Sequence, residues 1–130
     1  MVLPDTSAWI PYFRDGESVE ADRLASLIDA GEVATCGPVV AELLAGSDQR
    51  QELLLLETLI DLPWARLDVL GWQDVGRVAR ELRQRGQKLP LTDLAIAVAA
   101  ARADHALWSF DSDFERIRTV LPELDLYDPS

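Results

Sequence analysis

Asp5, Glu42, Asp93 and Asp111 share an unusual placement: each borders or interrupts an apolar stretch. Asp5 ends "MVLPD", Glu42 sits in "PVVAELLAG", Asp93 opens "LTDLAIAVAAA", and Asp111 follows "ALWSF", with Asp113 two residues on. Singly, each acid has a local explanation. A carboxylate caps the free N–H groups of a helix start and is favoured there by the helix dipole, and Glu42 can face solvent from an amphipathic helix. The same placement four times over points instead to one shared site. Carboxylates brought together repel, and some hold protons unless a cation joins them. Magnesium or manganese suits such a set, because these hard ions take oxygen ligands and need only a few carboxylates beside water. Ions held this way act on phosphates, activating water and neutralising charge on the leaving oxygen. Thr6, Ser7, Thr92 and Ser109 each lie within two residues of one of these acids. They are placed either to orient the carboxylates or to cap helix and strand ends.

The remaining composition narrows the alternatives. With one histidine, His105, and one cysteine, Cys36, no nitrogen or sulfur cluster competes for a metal and no internal disulfide can form. Cys36 reads as a buried apolar residue, and His105 as a solvated or capping residue at a helix end. The 23 acidic residues against 12 basic ones, a net charge of −11, exclude passive adhesion to nucleic acid. They do not exclude an enzyme that reaches phosphates through metal ions. Arg77, Arg80, Arg83, Arg85 and Lys88 crowd one segment. They form either a solvated helix face with intrahelical pairs or a track for RNA backbone, with Arg77, Arg80 and Arg83 as the RNA-binding candidates. No apolar run approaches the roughly 20 residues that cross a bilayer. The start of the chain turns acidic at once, unlike a signal peptide, so a reducing cytoplasm is the expected setting.

Elements must position the acids. Strands are expected at 2–5, 32–37, 64–69, 106–110 and, as an edge, 124–128. Helices are expected from Thr6 or Ser7 to Phe13 and over 17–31, 38–46, 48–62, 72–86, 91–105 and 111–120, the 91–105 helix being apolar almost all round and therefore central. This alternation predicts an α/β three-layer sandwich, with a mostly parallel central sheet flanked by helices, as a single domain over 1–130. Sites in such folds lie beyond the carboxyl ends of strands. Asp5 and Asp111 meet there if their strands sit near the middle of the sheet.

Taken in order, "DTSAWI", the acid of "VVAELLAG", "LPLTDLAIAVAA" and "ALWSFDSDFERI" make nearly the whole chain resemble the PIN domain, and within it the VapC-type toxins of bacterial toxin–antitoxin pairs. The resemblance implies a magnesium- or manganese-dependent endoribonuclease with a PIN-like fold. It implies that Asp5, Glu42, Asp93 and Asp111 form the catalytic acidic site. Asp5, Asp93, Asp111 and Asp113 would hold metal, Glu42 would help bind it or place the attacking water, and Thr6 and Ser109 would support the acids. It further implies a homodimer, a cognate antitoxin peptide or protein, and a structured RNA substrate such as transfer or ribosomal RNA. Pro4 departs from the pattern, where the family generally carries an aliphatic residue, so a shortened first strand is expected. A phosphoacceptor domain would want a lysine late in the chain, yet none follows Lys88. A phosphatase with a nucleophilic aspartate would want an acid at the position Ser7 occupies. The alternative is a non-catalytic RNA- or peptide-binding module of PIN-like fold.

Overall fold

The computed structural model describes residues 1–14 and 17–130. Val2 and Leu3 are buried, and with Pro4 they form strand β1 (Val2–Pro4) in the middle of a parallel array. On one side lies β2 (Ala106–Trp108), in register Val2↔Ala106, Leu3↔Leu107 and Pro4↔Trp108, followed by β3 (Asp125–Leu126). On the other side the array continues only as isolated parallel bridges, Val2↔Val33 and Thr35↔Trp64. The spatial order is therefore Trp64, Val33 to Thr35, β1, β2, β3, and chain order reverses between β1 and β2. All five expected strand positions are occupied, and three of them are named strands.

Pro4 explains why the second position stays a bridge. Val2 uses both its backbone groups toward that side, donating to the Glu32 carbonyl at 2.8 Å and accepting from Ala34 N–H at 2.9 Å. In a parallel ladder the next rung falls two residues on, at residue 4, where proline has no N–H to give. The opposite side is intact, since Asp5 N–H reaches the Trp108 carbonyl at 2.9 Å. The first strand is thus short, as expected, and Asp5 is still tied to β2.

The helices are α1 (Thr6–Phe13), α2 (Val19–Asp29), α3 (Gly37–Ala45), α4 (Gln49–Leu59), α5 (Val69–Gln84), α6 (Leu91–Arg102) and α7 (Asp113–Arg118). α1 packs on α2 and α3, and α3 on α4; α5 packs on α6, which also meets α7 and β2. Right-handed crossovers leading away from β1 in opposite directions put these two helix groups on opposite faces of the sheet. Every residue of α6 from Leu94 to Ala101 is buried, so it is the central helix its composition predicts. No helix among the described residues is long and apolar enough to cross a membrane.

α5 starts at Val69 rather than at 72, because Asp68 caps it, accepting from Gly71 N–H at 2.8 Å. Gly71 leaves room there for Leu67, whose Cδ2 would stand 2.8 Å from a Cβ and would have to turn aside. Arg102, at the end of α6, reaches Asp74 at 2.8 Å and Asp68 at 3.4 Å. These contacts set α5 antiparallel to α6 and bring the end of α5 toward the first turn of α6, where Asp93 stands. Asp68→Ala removes both cap and ion pair and should lower stability by about 1 kcal/mol, whereas Asp68→Asn, which keeps a capping oxygen, should lose less. Chemical denaturation of the two variants would check this order.

Candidate metal-binding site

Asp5 stands at the point where β1 ends and α1 begins. Its extended backbone and its Oδ1, which accepts from Ala8 N–H at 3.1 Å, make it the N-cap of α1. The capping reading of this residue therefore holds, and the site is built around it. Asp5 is only 5% exposed, and desolvation by that burial is the main influence on its carboxyl, raising it above the ordinary 3.8. Two serines work against that shift. Ser7 donates to Oδ1 at 2.6 Å and Ser109 to Oδ2 at 2.5 Å.

The same hydroxyls also accept. Ser7 Oγ takes the N–H of Phe110 at 3.0 Å, and Ser109 Oγ takes the N–H of Asp111 at 2.9 Å. Each serine thus spends its single hydrogen on Asp5 and uses a lone pair to hold the backbone that follows β2. Asp5 is the fixed point to which the Asp111 loop is tied. A carboxylate offers about four lone-pair sites. Oδ1 has two taken and Oδ2 one, so one remains on Oδ2 for a further partner.

The group of acids whose oxygens converge is Asp93, Asp111 and Asp113, with one ligand atom from each lying within 4.8 Å of the others. Asp93 comes from the first turn of α6, Asp113 from the first turn of α7, and Asp111 from the turn before it. Asp111 Oδ1 accepts from Asp113 N–H at 2.9 Å, which fixes the spacing of the pair. Burial, and then the charges of Asp111, Glu42, Asp5 and Asp113, push the Asp93 carboxyl up from 3.8 to about 6. Every acid singled out in the sequence therefore acts on Asp93. Glu42, half-buried on α3, is held by Thr6, whose Oγ1 donates to Oε1 at 2.8 Å. Thr92 makes no hydrogen bond to an acid among the described residues.

The resemblance put both Asp5 and Asp113 among the metal-holding acids. In the folded chain Asp113 is one of the three converging acids, while Asp5 supports them from below. Two neighbours had no assigned role. Arg116 approaches Asp113 at 3.6 Å, a pairing that the i, i+3 spacing in "DFER" announces. Phe110 is 51% exposed between Ser109 and Asp111. Cys36 is buried, and desolvation lifts its thiol to about 11, so it stays a protonated core residue. His105 lies past the far end of α6, away from the acids.

All donors in the converging group are carboxylate oxygens, and their mutual repulsion is the kind a divalent hard cation relieves; the residues present fit magnesium or manganese.

Comparison with known proteins agrees with this geometry. The family described as PIN domain matches residues 2–120. The chain is 30% identical over 125 residues to ribonuclease VapC11 of Mycobacterium tuberculosis, covering 92% of this chain and 93% of that protein. Its fold superposes on that of DNA-bound VapBC from Salmonella typhimurium with a TM-score of 0.80 at 18% identity, covering 99% of this chain and 98% of the other. VapBC-5 of Mycobacterium tuberculosis, a member of the VapBC family of toxin–antitoxin systems, gives 0.57 at 24% identity, with 88% of each chain covered.

Asp93 bears charge in the folded protein at a cost the unfolded chain does not carry. That cost is absent below pH 3.8, grows as pH rises toward about 6, and is complete above it. Because Asp93 is only half-buried, screening reduces the effect to about 1 kcal/mol. In chelator at pH 7.5, Asp93→Asn should raise the melting temperature by a few degrees. At pH 4 the difference should largely vanish. A variant less stable than wild type at pH 7.5 would show that the acids are not in net repulsion.

Proposed function

We propose that this chain, which belongs to the PIN-domain family and to its VapC-type members, is a magnesium- or manganese-dependent endoribonuclease that serves as the toxin of a toxin–antitoxin pair. The observation that carries this reading is the convergence of Asp93, Asp111 and Asp113 beside Asp5 and Glu42. Asp93, Asp111 and Asp113 would hold the ion, with Asp5 able to join through the remaining lone pair of Oδ2. When bound, the ion supplies positive charge beside the phosphate and a more acidic water. Glu42 has Oε1 engaged by Thr6, which leaves Oε2 to accept a hydrogen bond from the attacking water and orient it. Attack in line with the leaving 3′ oxygen gives a 5′ phosphate and a 3′ hydroxyl. Ser7 and Ser109 favour the charged form of Asp5 against its burial and hold the Asp111 loop in place.

The substrate in this reading is a structured RNA, transfer or ribosomal. Arg80 and Arg83 lie on the half of α5 that runs toward Asp93, and neither takes part in an ion pair among the described residues. Arg77 and Arg85 are engaged by Asp74 and Glu81. The antitoxin would meet an apolar groove of about 280 Å³ between α1, α3 and α4, lined by Ile10, Phe13, Leu43 and Leu54. Leu53, Leu56 and Ile60 of the same stretch are also exposed, an apolar surface suited to an amphipathic peptide. The protein would act in the cytoplasm, as a homodimer.

Purified protein incubated with total bacterial RNA should give discrete cuts with magnesium or manganese and none with chelator. Asp111→Asn and Glu42→Gln should each slow cutting at least about a hundred-fold while remaining folded. Cleavage that persists in chelator would refute the metal chemistry. A folded protein that binds RNA but never cuts it would move the reading to the non-catalytic module.

A further inference from the structure

The acidic group leaves a question of affinity. A chain of net charge −11 that gathers carboxylates at its reaction centre gains little from the phosphate attraction that usually holds RNA. An uncharged contact near the acids would add to what Arg80 and Arg83 supply, and the side chain placed to make one is Phe110. It is 51% exposed, whereas Trp108, two residues before it, and Phe114, four after, are each 1% exposed. It lines one cavity together with Ser109 and Asp111, its neighbours in sequence. Its backbone is fixed by the Ser7 hydroxyl, which is itself bound to Asp5. The ring leans on buried Trp108 in an edge-type contact, centroids 6.0 Å apart at 70°, and Trp108 is in similar contact with Tyr127 at 5.5 Å. An edge contact seats a ring without covering both its faces.

Beside Phe110 is an open cavity of about 280 Å³ that shares Ser109 and Asp111 with the acidic site and continues to Tyr127 and Glu115. Its polar rim carries hydroxyls and two carboxylates, groups that pair with the edges of a base. Single exposed apolar side chains are ordinary on a protein surface. A half-exposed aromatic side chain whose backbone is tied through Ser7 to Asp5, with a cavity alongside, is a more specific arrangement.

We propose that Phe110 is the stacking platform for the nucleobase next to the scissile phosphate, and so a residue that positions the substrate at the cut. The inference rests on the ribonuclease reading above. Stacking on an aromatic face is available to every base and needs no positive charge, which suits an acidic protein. The ring itself moves no proton; it sets where the phosphate comes to rest.

The test begins with the cut mapped in total bacterial RNA and continues on the shortest RNA fragment that carries it, with the full-length protein in magnesium. Phe110→Leu should raise KM about ten-fold with a smaller effect on kcat, and Phe110→Trp should restore KM. Removing the base on one side of the cut should cost wild type a similar factor and cost Phe110→Leu almost nothing more, because both changes delete one contact. Unchanged KM in Phe110→Leu, or equal losses from base removal in both proteins, would overturn the stacking role and leave the nuclease intact. Wild type that cuts no RNA at all would overturn the nuclease reading and this inference with it.

Discussion

Repulsion between carboxylates is the constraint around which the rest of this molecule is arranged. Asp93 begins a helix that is buried for the eight residues from Leu94 to Ala101, and four further acids bear on it. Apolar surroundings intensify that repulsion, since fewer water dipoles oppose it. A protein selected only for stability would not keep this cluster. Its persistence is intelligible if a cation completes it, and the surrounding hydroxyls make sense in the same terms. Ser7, Ser109 and Thr6 each donate to an acid, which supports the charged form, and none brings a competing positive charge. Arg116 is the cation paired with one of the converging acids, from an exposed position where such a pair contributes little.

The sheet accounts for where the acids meet. Chain order reverses between β1 and β2, and the loops leaving two adjacent strands at such a point diverge to opposite faces, opening a crevice between them. Asp5 and Ser109 leave those two strands side by side and bond to each other. Helices α3 and α6, one from each helix group, pack against one another and bring Glu42 and Asp93 to the same crevice. Asp5 and Asp111 follow the two short strands, Asp93 and Asp113 stand in the first turns of α6 and α7, and Glu42 comes from the second turn of α3. Most of the frame is apolar packing, and the strands themselves are only two or three residues long.

Much of this was legible in the order of residues. Acids at the ends of apolar segments marked the strand ends and helix starts, and the apolar run after Asp93 announced a central helix. Helix bounds came within a few residues; the start of α5 was misplaced because Asp68 looked like part of a strand when its side chain caps the helix instead. What could not be read depends on contacts across the fold. Pro4 signalled a short strand, but not that the missing rung would reduce the neighbouring strand to a bridge. How fully Asp5 is occupied was not legible either, because that depends on the folded positions of Ser7 and Ser109. Phe110 looked like one more strand residue until its exposure beside the acids was visible.

Crystals of the full chain grown with manganese, with anomalous diffraction recorded at the manganese edge, would test the central claim most directly. A peak bounded by the carboxylates of Asp93, Asp111 and Asp113, with Asp5 touching it through Oδ2 if at all, is the expected result. A chain that folds as described yet shows no manganese among those three residues, or shows it elsewhere, would contradict the account at its foundation.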